Sequence, residues 1–208
     1  MPRFPKTSRE ETLNATRQRL LDAAAVEFAQ KGFAEANINQ ISVAAGFSKG
    51  TIYNYFASKQ ALVLALIAEA GAAHVACIAE QVRGVSDPVQ RLFRFYEAGF
   101  AFIEEHPARA RFLITTLYSP GIELQQAMFE AYQPMFGLVA QEILAPGIAQ
   151  GLFRAVDLRA TTNILMTLYL GTGSNVDRQG KVFMDAHMVA EFALHALQPA
   201  GSQVSNGE

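Results

Sequence analysis

The sequence predicts an all-α protein of about nine helices, and three observations carry that prediction. Apolar residues recur at i, i+3 and i+4 along nearly the whole chain, and no alternating run long enough for a strand interrupts them. Neither an internal repeat nor a low-complexity segment breaks the pattern. Half of the 208 residues are hydrophobic, enough to bury a sizeable core.

The first helix is expected from about Thr12 to Lys31, with Leu20, Leu21, Ala24, Ala25 and Phe28 forming its apolar stripe and Gly32 ending it. In a short second helix Asn37 serves as the cap. Gln40, three residues on, is placed to return to the cap's amide as in a capping box, while Ile41 and Ala45 face the first helix. Gly46 supplies a turn, Phe47 plugs it, and Ser48 opens a third helix of scarcely two turns whose Ile52 and Phe56 are its only strongly apolar pair. Ser58 caps a long fourth helix reaching Arg83. Asp87 with Pro88 opens a fifth ending near His106, and Pro107 a sixth ending near Leu117. A loop at 118–121 follows. A seventh helix from Ile122 to Leu144 contains Pro134, which should kink or split it, because proline lacks the backbone donor and crowds the preceding turn. Asp157 caps an eighth helix ending near Gly171, and a ninth covers Met184 to Leu197.

Composition narrows the function classes. No apolar run reaches the roughly 20 residues a membrane helix needs, and the opening MPRFPKTSREET lacks the apolar middle of a signal peptide, so a cytoplasmic protein without a membrane partner is expected. One cysteine, Cys77, leaves no internal disulfide. His74 lies one helical turn from it, but with no third ligand the pair reads as packing, and neither a metal nor a cofactor is expected. No nucleophile motif, metal triad or phosphate loop points to an enzyme. Residues 1–60 carry eight Lys/Arg against five Asp/Glu, a balance of +3, and the remainder nine against fourteen, a balance of −5. A polyanion bound at the amino-terminal end would produce this asymmetry, as would chance.

The stretch FSKGTIYNYFASK, residues 47–59, sets four aromatics and two lysines around a glycine. If Ile52 and Phe56 point inward, a rotation of about 100° per residue turns Gly50, Tyr53 and Asn54 outward with Thr51 and Tyr55 on the flanks. Donors and rings then cover a short exposed helix, with Lys49 at its start. Together with the preceding helix and the glycine turn this forms a helix-turn-helix able to enter the major groove of DNA. Ordinary packing of two short helices accounts for the same spacing. Lys59, in the first turn of the next helix, opposes the helix dipole, and a phosphate there would offset that cost.

The run Gly32-Phe33, then Asn37 through Phe56 with AAGFSKGTIYNYF, then Ser58-Lys59 and Leu62, resembles the amino-terminal domain of the TetR family of bacterial transcriptional regulators over about residues 12–66. Asn37 stands where the family usually has Thr, and Ser42 where it usually has Ala. The resemblance implies a DNA-binding domain over 1–57, an effector-binding and dimerisation domain over 58–197, and a tail over 198–208 expected to be disordered. The DNA-contacting set it implies is Asn37, Ser48, Lys49, Gly50, Thr51, Tyr53, Asn54, Tyr55 and Lys59, with Thr51 and Asn54 nearest base edges and Tyr53, Tyr55 and Lys59 on phosphates. The basic start, Arg3, Lys6 and Arg9, is read as a solvated leader in preference to an arm along the duplex.

Residues 84–144 are dense in rings, and the fifth helix, apolar on nearly every side, is expected at the centre of the second domain. Core packing accounts for most of these rings. The resemblance also implies an effector pocket here, for which Leu66, Phe93, Tyr96, Gly99, Phe100, Leu117, Tyr118, Met128, Phe129, Tyr132 and Phe136 are the candidate lining, with His106, Arg109 and Arg111 as further polar groups. A small hydrophobic effector, an acyl chain or an aromatic compound, suits such walls. The last two helices, by the same resemblance, form a homodimer seam through Ile164, Leu165, Leu168, Met188, Phe192 and His195. A two-fold dimer on a pseudo-palindromic operator in double-stranded DNA would give one short helix the discrimination it lacks alone. An all-α carrier or enzyme using the aromatic cavity directly is the rival reading.

Overall fold

The structure, a computed structural model, describes residues 6–119, 121–177 and 179–199. It is all-α: the helices are α1 (Lys6–Glu35), α2 (Ile38–Ala44), a 3-10 turn (Thr51–Asn54), α3 (Lys59–Arg83), α4 (Pro88–Glu105), α5 (Pro107–Leu117), α6 (Ile122–Gly137), a π-helical segment (Leu138–Leu144), α7 (Ala145–Ala149), α8 (Leu158–Gly173) and α9 (Ala186–Leu197). A single bridge, Val176 with Val182, is the only strand-like pairing among the described residues.

The caps explain the boundaries. Asp87 accepts from the amides of Val89 and Gln90, Asp157 from Ala160, and Asp185 from Met188, so each helix opens where a carboxylate meets otherwise unpaired amide donors. Ser58 Oγ accepts from the Ala61 amide at 3.0 Å. The helical geometry of α1 stops at Gly32, whose φ of 71° lies in the left-handed region that glycine alone enters without strain.

Four expectations need correction. The first helix opens at Lys6, well before Thr12, so the leader is helical from there, whereas Arg3 lies outside the described residues. Of the tail expected over 198–208, Gln198 and Pro199 are described, the Gln198 amide closing α9 on Leu194 O at 3.0 Å, and 200–208 lie outside the described residues. Pro134 does not break its helix. Instead α6 passes through it and widens into the π-helical segment at Leu138, a change of hydrogen-bond register that keeps the chain helical. Finally, α3 is 25 residues long with an 18-residue window of mean hydropathy 2.0, long and apolar enough to cross a membrane on those measures. Its Leu62, Val63, Leu66, Ile67, Ala70, Ile78 and Val82 are buried in the chain's own core.

By compactness the chain divides into one unit of Met1–Gly71 with Ala108–Glu130 and another of Ala72–Pro107 with Ala131–Glu208, in place of a break between residues 57 and 58. In the first unit Leu20, Leu21, Ala24, Ala25 and Phe28 of α1 are buried with Ile41, Ile52, Phe56 and Leu62, and Phe112 of α5 lies 5.8 Å from the Phe28 ring. In the second, α4 packs on α7, α8, α9 and the π-helical segment, the central position its apolar faces demand.

Tyr169 of α8 organises that second core. Its ring covers Gly99 of α4 so closely that an added Cβ would sit 2.4 Å from it. Its hydroxyl meets His74 Nε2 at 2.7 Å, and Tyr132 meets His74 Nδ1 at 2.9 Å, while Phe102 stacks on the imidazole at 4.3 Å. Burial, with His106 nearby, pushes the His74 pKa down to about 4, so the ring is neutral. A neutral imidazole has one donor and one acceptor, so one tyrosine donates to it and the other accepts. Burial also raises the pKa of both phenols.

Two outcomes follow from this core. Gly99→Ala should destabilise by about 2 kcal/mol because the covering ring has nowhere to go, whereas Gly137→Ala, with nothing within 4 Å of the new Cβ, should gain up to about 1 kcal/mol. Denaturant midpoints of the two variants check this. For His74 the native ring resists a proton that the unfolded chain takes up, so stability falls as pH drops from 6.5 toward 4, by about 2 kcal/mol at pH 5. Thermal melts of His74→Gln between pH 7 and 5 should show a shallower decline than wild type.

Candidate nucleic-acid interface

Asn37 Oδ1 accepts from the amides of Asn39 at 2.9 Å and Gln40 at 3.3 Å, opening α2. The capping box is not completed. The Asn37 amide goes to Glu27 Oε1 at 3.0 Å, and Gln40 Oε1 accepts from Lys31 Nζ at 2.8 Å, because Glu27 and Lys31 on α1 lie close enough to take both partners. Glu27 is held below the usual carboxylate range despite partial burial, by Lys31 and the Asn37 amide.

Between α2 and the 3-10 turn the chain reverses at Gly46, whose φ of 82° requires glycine, and a Cβ there would meet the Arg19 guanidinium at 2.6 Å. Ser42, fully buried, donates from Oγ to Ser48 O at 2.6 Å and so satisfies the carbonyl that precedes the turn. Alanine at that position would leave the carbonyl with the Thr51 amide alone, which donates to it at 3.0 Å. Two arginines of α1 then seat the turn's aromatic neighbours: Arg19 lies 4.7 Å from the Phe47 ring centroid and Arg17 5.3 Å from that of Phe56.

The recognition segment is a 3-10 turn of four residues in place of two α-turns. The difference matters because side chains three apart eclipse in 3-10 geometry. Thr51 and Asn54 therefore share one edge, Gly50 and Tyr53 a second, and Ile52 and Tyr55 a third. Ile52 is fully buried and Phe56 nearly so. Ser48, Lys49, Gly50 and Asn54 are exposed, Tyr53 is 52% exposed, and Thr51 and Tyr55 are half-buried. Ser48 makes no side-chain cap; its hydroxyl pairs with that of Thr51 at 2.8 Å. Lys59 is more occupied than the sequence suggests. Its Nζ donates to Ala34 O at 2.8 Å and sits 5.0 Å from the Phe33 ring, strapping the start of α3 to the end of α1, with two ammonium protons left over.

The other candidate residues separate. Leu66 and Met128 are buried and Leu117 half-buried in the first unit, while Tyr118 and Phe129 are exposed on it. In the second unit Tyr96 and Phe100 are buried, and Tyr96 donates to Leu165 O at 3.2 Å. Phe93 packs on His187 at 4.6 Å, and Tyr132 and Phe136 are half-buried. Gly99 is not an open wall, since the Tyr169 ring fills the space before it. Arg109 pairs with Asp22 and Glu69; His106 and Arg111 are exposed. Among the seam candidates Ile164, Met188, Phe192 and His195 are exposed and Leu168 is half-buried, but Leu165 is buried in its own bundle, because its place on α8 faces α4. Ser42 entered the sequence reading only as a departure from the family's usual Ala, and Arg17 and Arg19 were missed. Their signal was the placement of cations on α1 opposite the two phenylalanines that flank the turn, visible only once the helices are paired.

Residues 20–66 match the model of the bacterial regulatory proteins of the tetR family. The transcriptional repressor KstR2 of Mycobacterium tuberculosis is 28% identical over 68% of this chain and 71% of its own length. The transcriptional regulator EthR of Mycolicibacterium smegmatis is 30% identical over 76% of this chain and 70% of its own length. The fold matches FadR of Bacillus subtilis, solved with stearoyl-CoA, at a TM-score of 0.73 and 21% identity over 87% of this chain and 97% of that one. It matches AibR, solved with isovaleryl coenzyme A and operator DNA, at 0.71 and 15% over 88% and 98%. With its turn seated on α1 as described and its relation to EthR extending across most of both proteins, the chain belongs to the TetR family of bacterial transcriptional regulators.

Proposed function

We propose that this chain is a cytoplasmic, dimeric transcriptional repressor that binds a pseudo-palindromic operator and is released from it by a small hydrophobic effector of the acyl-thioester class. The single observation that carries the DNA reading is the polar edge of half-buried Thr51 and exposed Asn54, beside exposed Tyr53 and Lys49, on a turn anchored by the fully buried Ile52. On this reading Thr51 and Asn54 meet base edges, Ser48, Lys49, Gly50, Tyr53, Tyr55 and the remaining donors of Lys59 meet the backbone, and Asn37 adds its side-chain amide.

Two observations support the rest. The aromatic core around Tyr96, Phe100, Tyr132 and Phe136 suits an acyl chain, and FadR and AibR, which share the fold, were solved with acyl-CoA ligands. Ile164, Met188 and Phe192 leave large apolar side chains in solvent, with Phe192 68% exposed, and Asn163, Ile164, Thr167, Leu168 and Gly171 line a shallow apolar groove along α8. A second copy laid on α8 and α9 would cover both. An effector that weakens operator binding tenfold needs about 1.4 kcal/mol of coupling, the difference in its affinity for the two states.

Fluorescence anisotropy with the gene's own upstream DNA tests the central claim, and titration of the complex with stearoyl-CoA and isovaleryl-CoA tests the effector class. Asn54→Ala should lose roughly 1–3 kcal/mol at particular base pairs, while Lys49→Ala should weaken all sequences alike and lower the salt slope by about one. A uniform loss for Asn54→Ala would move that residue to the backbone. For the dimer, Phe192→Asp and Ile164→Asp should sediment as folded monomers that no longer hold the operator, because each charge would be buried unpaired at the seam. Intact dimers for both would place the interface elsewhere.

A further inference from the structure

A second cluster of charge sits in the first unit, away from the recognition turn. Arg109 of α5 donates from Nη2 to Asp22 Oδ1 of α1 at 2.7 Å, and its Nη1 lies 3.3 Å from Glu69 Oε1 of α3. Gln18 Nε2 reaches both acids, at 3.2 Å to Glu69 Oε1 and 3.4 Å to Asp22 Oδ1. The Arg109 side chain is 16% exposed, that of Glu69 26% and that of Asp22 54%, so solvent and salt screen the Glu69 arm less than the Asp22 arm. One guanidinium serves two carboxylates from two helices, which its planar fork permits and an ammonium would do poorly. Glu69 Oε2 is buried without a hydrogen-bond partner, so this carboxylate is held by Arg109 and Gln18 through Oε1 alone.

The position of this cluster on α1 gives it meaning. Gln18 and Asp22 bracket Arg19, which lies over Phe47 and against Gly46, and Gln18 follows Arg17, which lies over Phe56. Asp22 and Arg19 also line one depression with Ile41 and Ala44 of α2 and its C-cap residue Ala45. The turn of α1 that seats the recognition segment is therefore the turn that Arg109 grips, and Phe112, one helical turn on from Arg109, packs on Phe28 of the same helix at 5.8 Å. Residue 109 lies well beyond residues 20–66, the segment that matches the family's DNA-binding model.

We propose that Arg109 is a positioning residue for DNA binding: by clasping Asp22 of α1 and Glu69 of α3 it sets the tilt of α1, and with it the direction in which the recognition turn is presented. This rests on the reading of that turn as the operator-contacting surface. The DNA-binding unit then includes a helix from later in the chain, and any displacement of α5 passes through one guanidinium to α1 without altering α2 or the turn itself.

The test uses the full-length protein with three variants. Arg109→Met removes the charge at similar length, Arg109→Lys keeps the charge without the fork, and Glu69→Gln removes the acid's charge while keeping an acceptor for Arg109. Two quantities are read: amide hydrogen exchange of the DNA-free protein, and the ratio of its affinities for the upstream operator fragment and for a random duplex. Both Arg109 variants should speed exchange over residues 42–56 about threefold or more, leave α4 and α8 unchanged, and lower the affinity ratio about tenfold. Glu69→Gln, which leaves Arg109 an uncharged acceptor at one end of the clasp, should shift both in the same direction by less than either Arg109 variant. A merely stabilising arginine would raise exchange in all helices together and leave the ratio unmoved, since fewer folded molecules weaken both duplexes alike. That result, or folded Arg109 variants identical to wild type, would overturn the proposal. Should Arg109→Met fail to fold, Arg109→Lys carries the same comparison. If wild type shows no preference for any operator, the regulator reading fails, while the exchange pattern still decides whether Arg109 orients the turn.

Discussion

A four-residue 3-10 turn cannot hold a shape by itself, because it fixes more backbone dihedrals than its few hydrogen bonds repay. Everything on the candidate interface depends on how that turn is seated. Ile52 and Phe56 are driven into the core of the first unit, Ser42 secures the carbonyl before the turn, and Arg17 and Arg19 reach from α1 over the two phenylalanines that flank it. Once those are in place the exposed edge follows from geometry, since the 3-10 period aligns Thr51 with Asn54. The polar face is thus a consequence of an apolar anchor.

The same economy appears at Gly46. Its left-handed backbone gives the reversal, and its missing Cβ leaves room for the Arg19 guanidinium, so one residue serves both the turn and the cation that stacks on the next ring. Lys59 is a comparable case. A lysine in the first turn of α3 opposes the helix dipole, and the ring of Phe33 with the Ala34 carbonyl offsets this locally.

In the second unit the controlling contact is Tyr169 on Gly99. The absent side chain lets α4 accept a phenol whose hydroxyl then ends on a neutral histidine, and Tyr132, His74 and Tyr169 form one polar chain of two hydrogen bonds. Such a network is tolerated in an apolar core because each of its polar atoms has at least one hydrogen-bond partner. It also explains why a helix rich in aromatic residues does not present all of them to one cavity: several rings, Phe95 and Phe102 among them, are spent on covering this chain of hydrogen bonds.

The sequence by itself determined the helical class, most boundaries and the outward set of the recognition segment, because period, caps and glycine turns are local signals. Asn37, Asp87, Asp157 and Asp185 cap helices for reasons complete within four residues of chain, and the pattern around Ile52 and Phe56 orients Tyr53 and Asn54. The run through Pro134 and the 3-10 character of the recognition turn were not legible, since packing on neighbouring elements overrides weak local preference. Nor were the partners of charged and ring side chains. Gly99 reads as free space until Tyr169 is laid on it, Leu165 reads as outward until α4 is placed beside α8, and Arg109 reads as a polar group of the effector pocket until Asp22 and Glu69 arrive from residues 87 and 40 positions away. Tertiary structure alone decided these, because a contact between distant segments depends on where both are carried by the elements between them, and no local period encodes that.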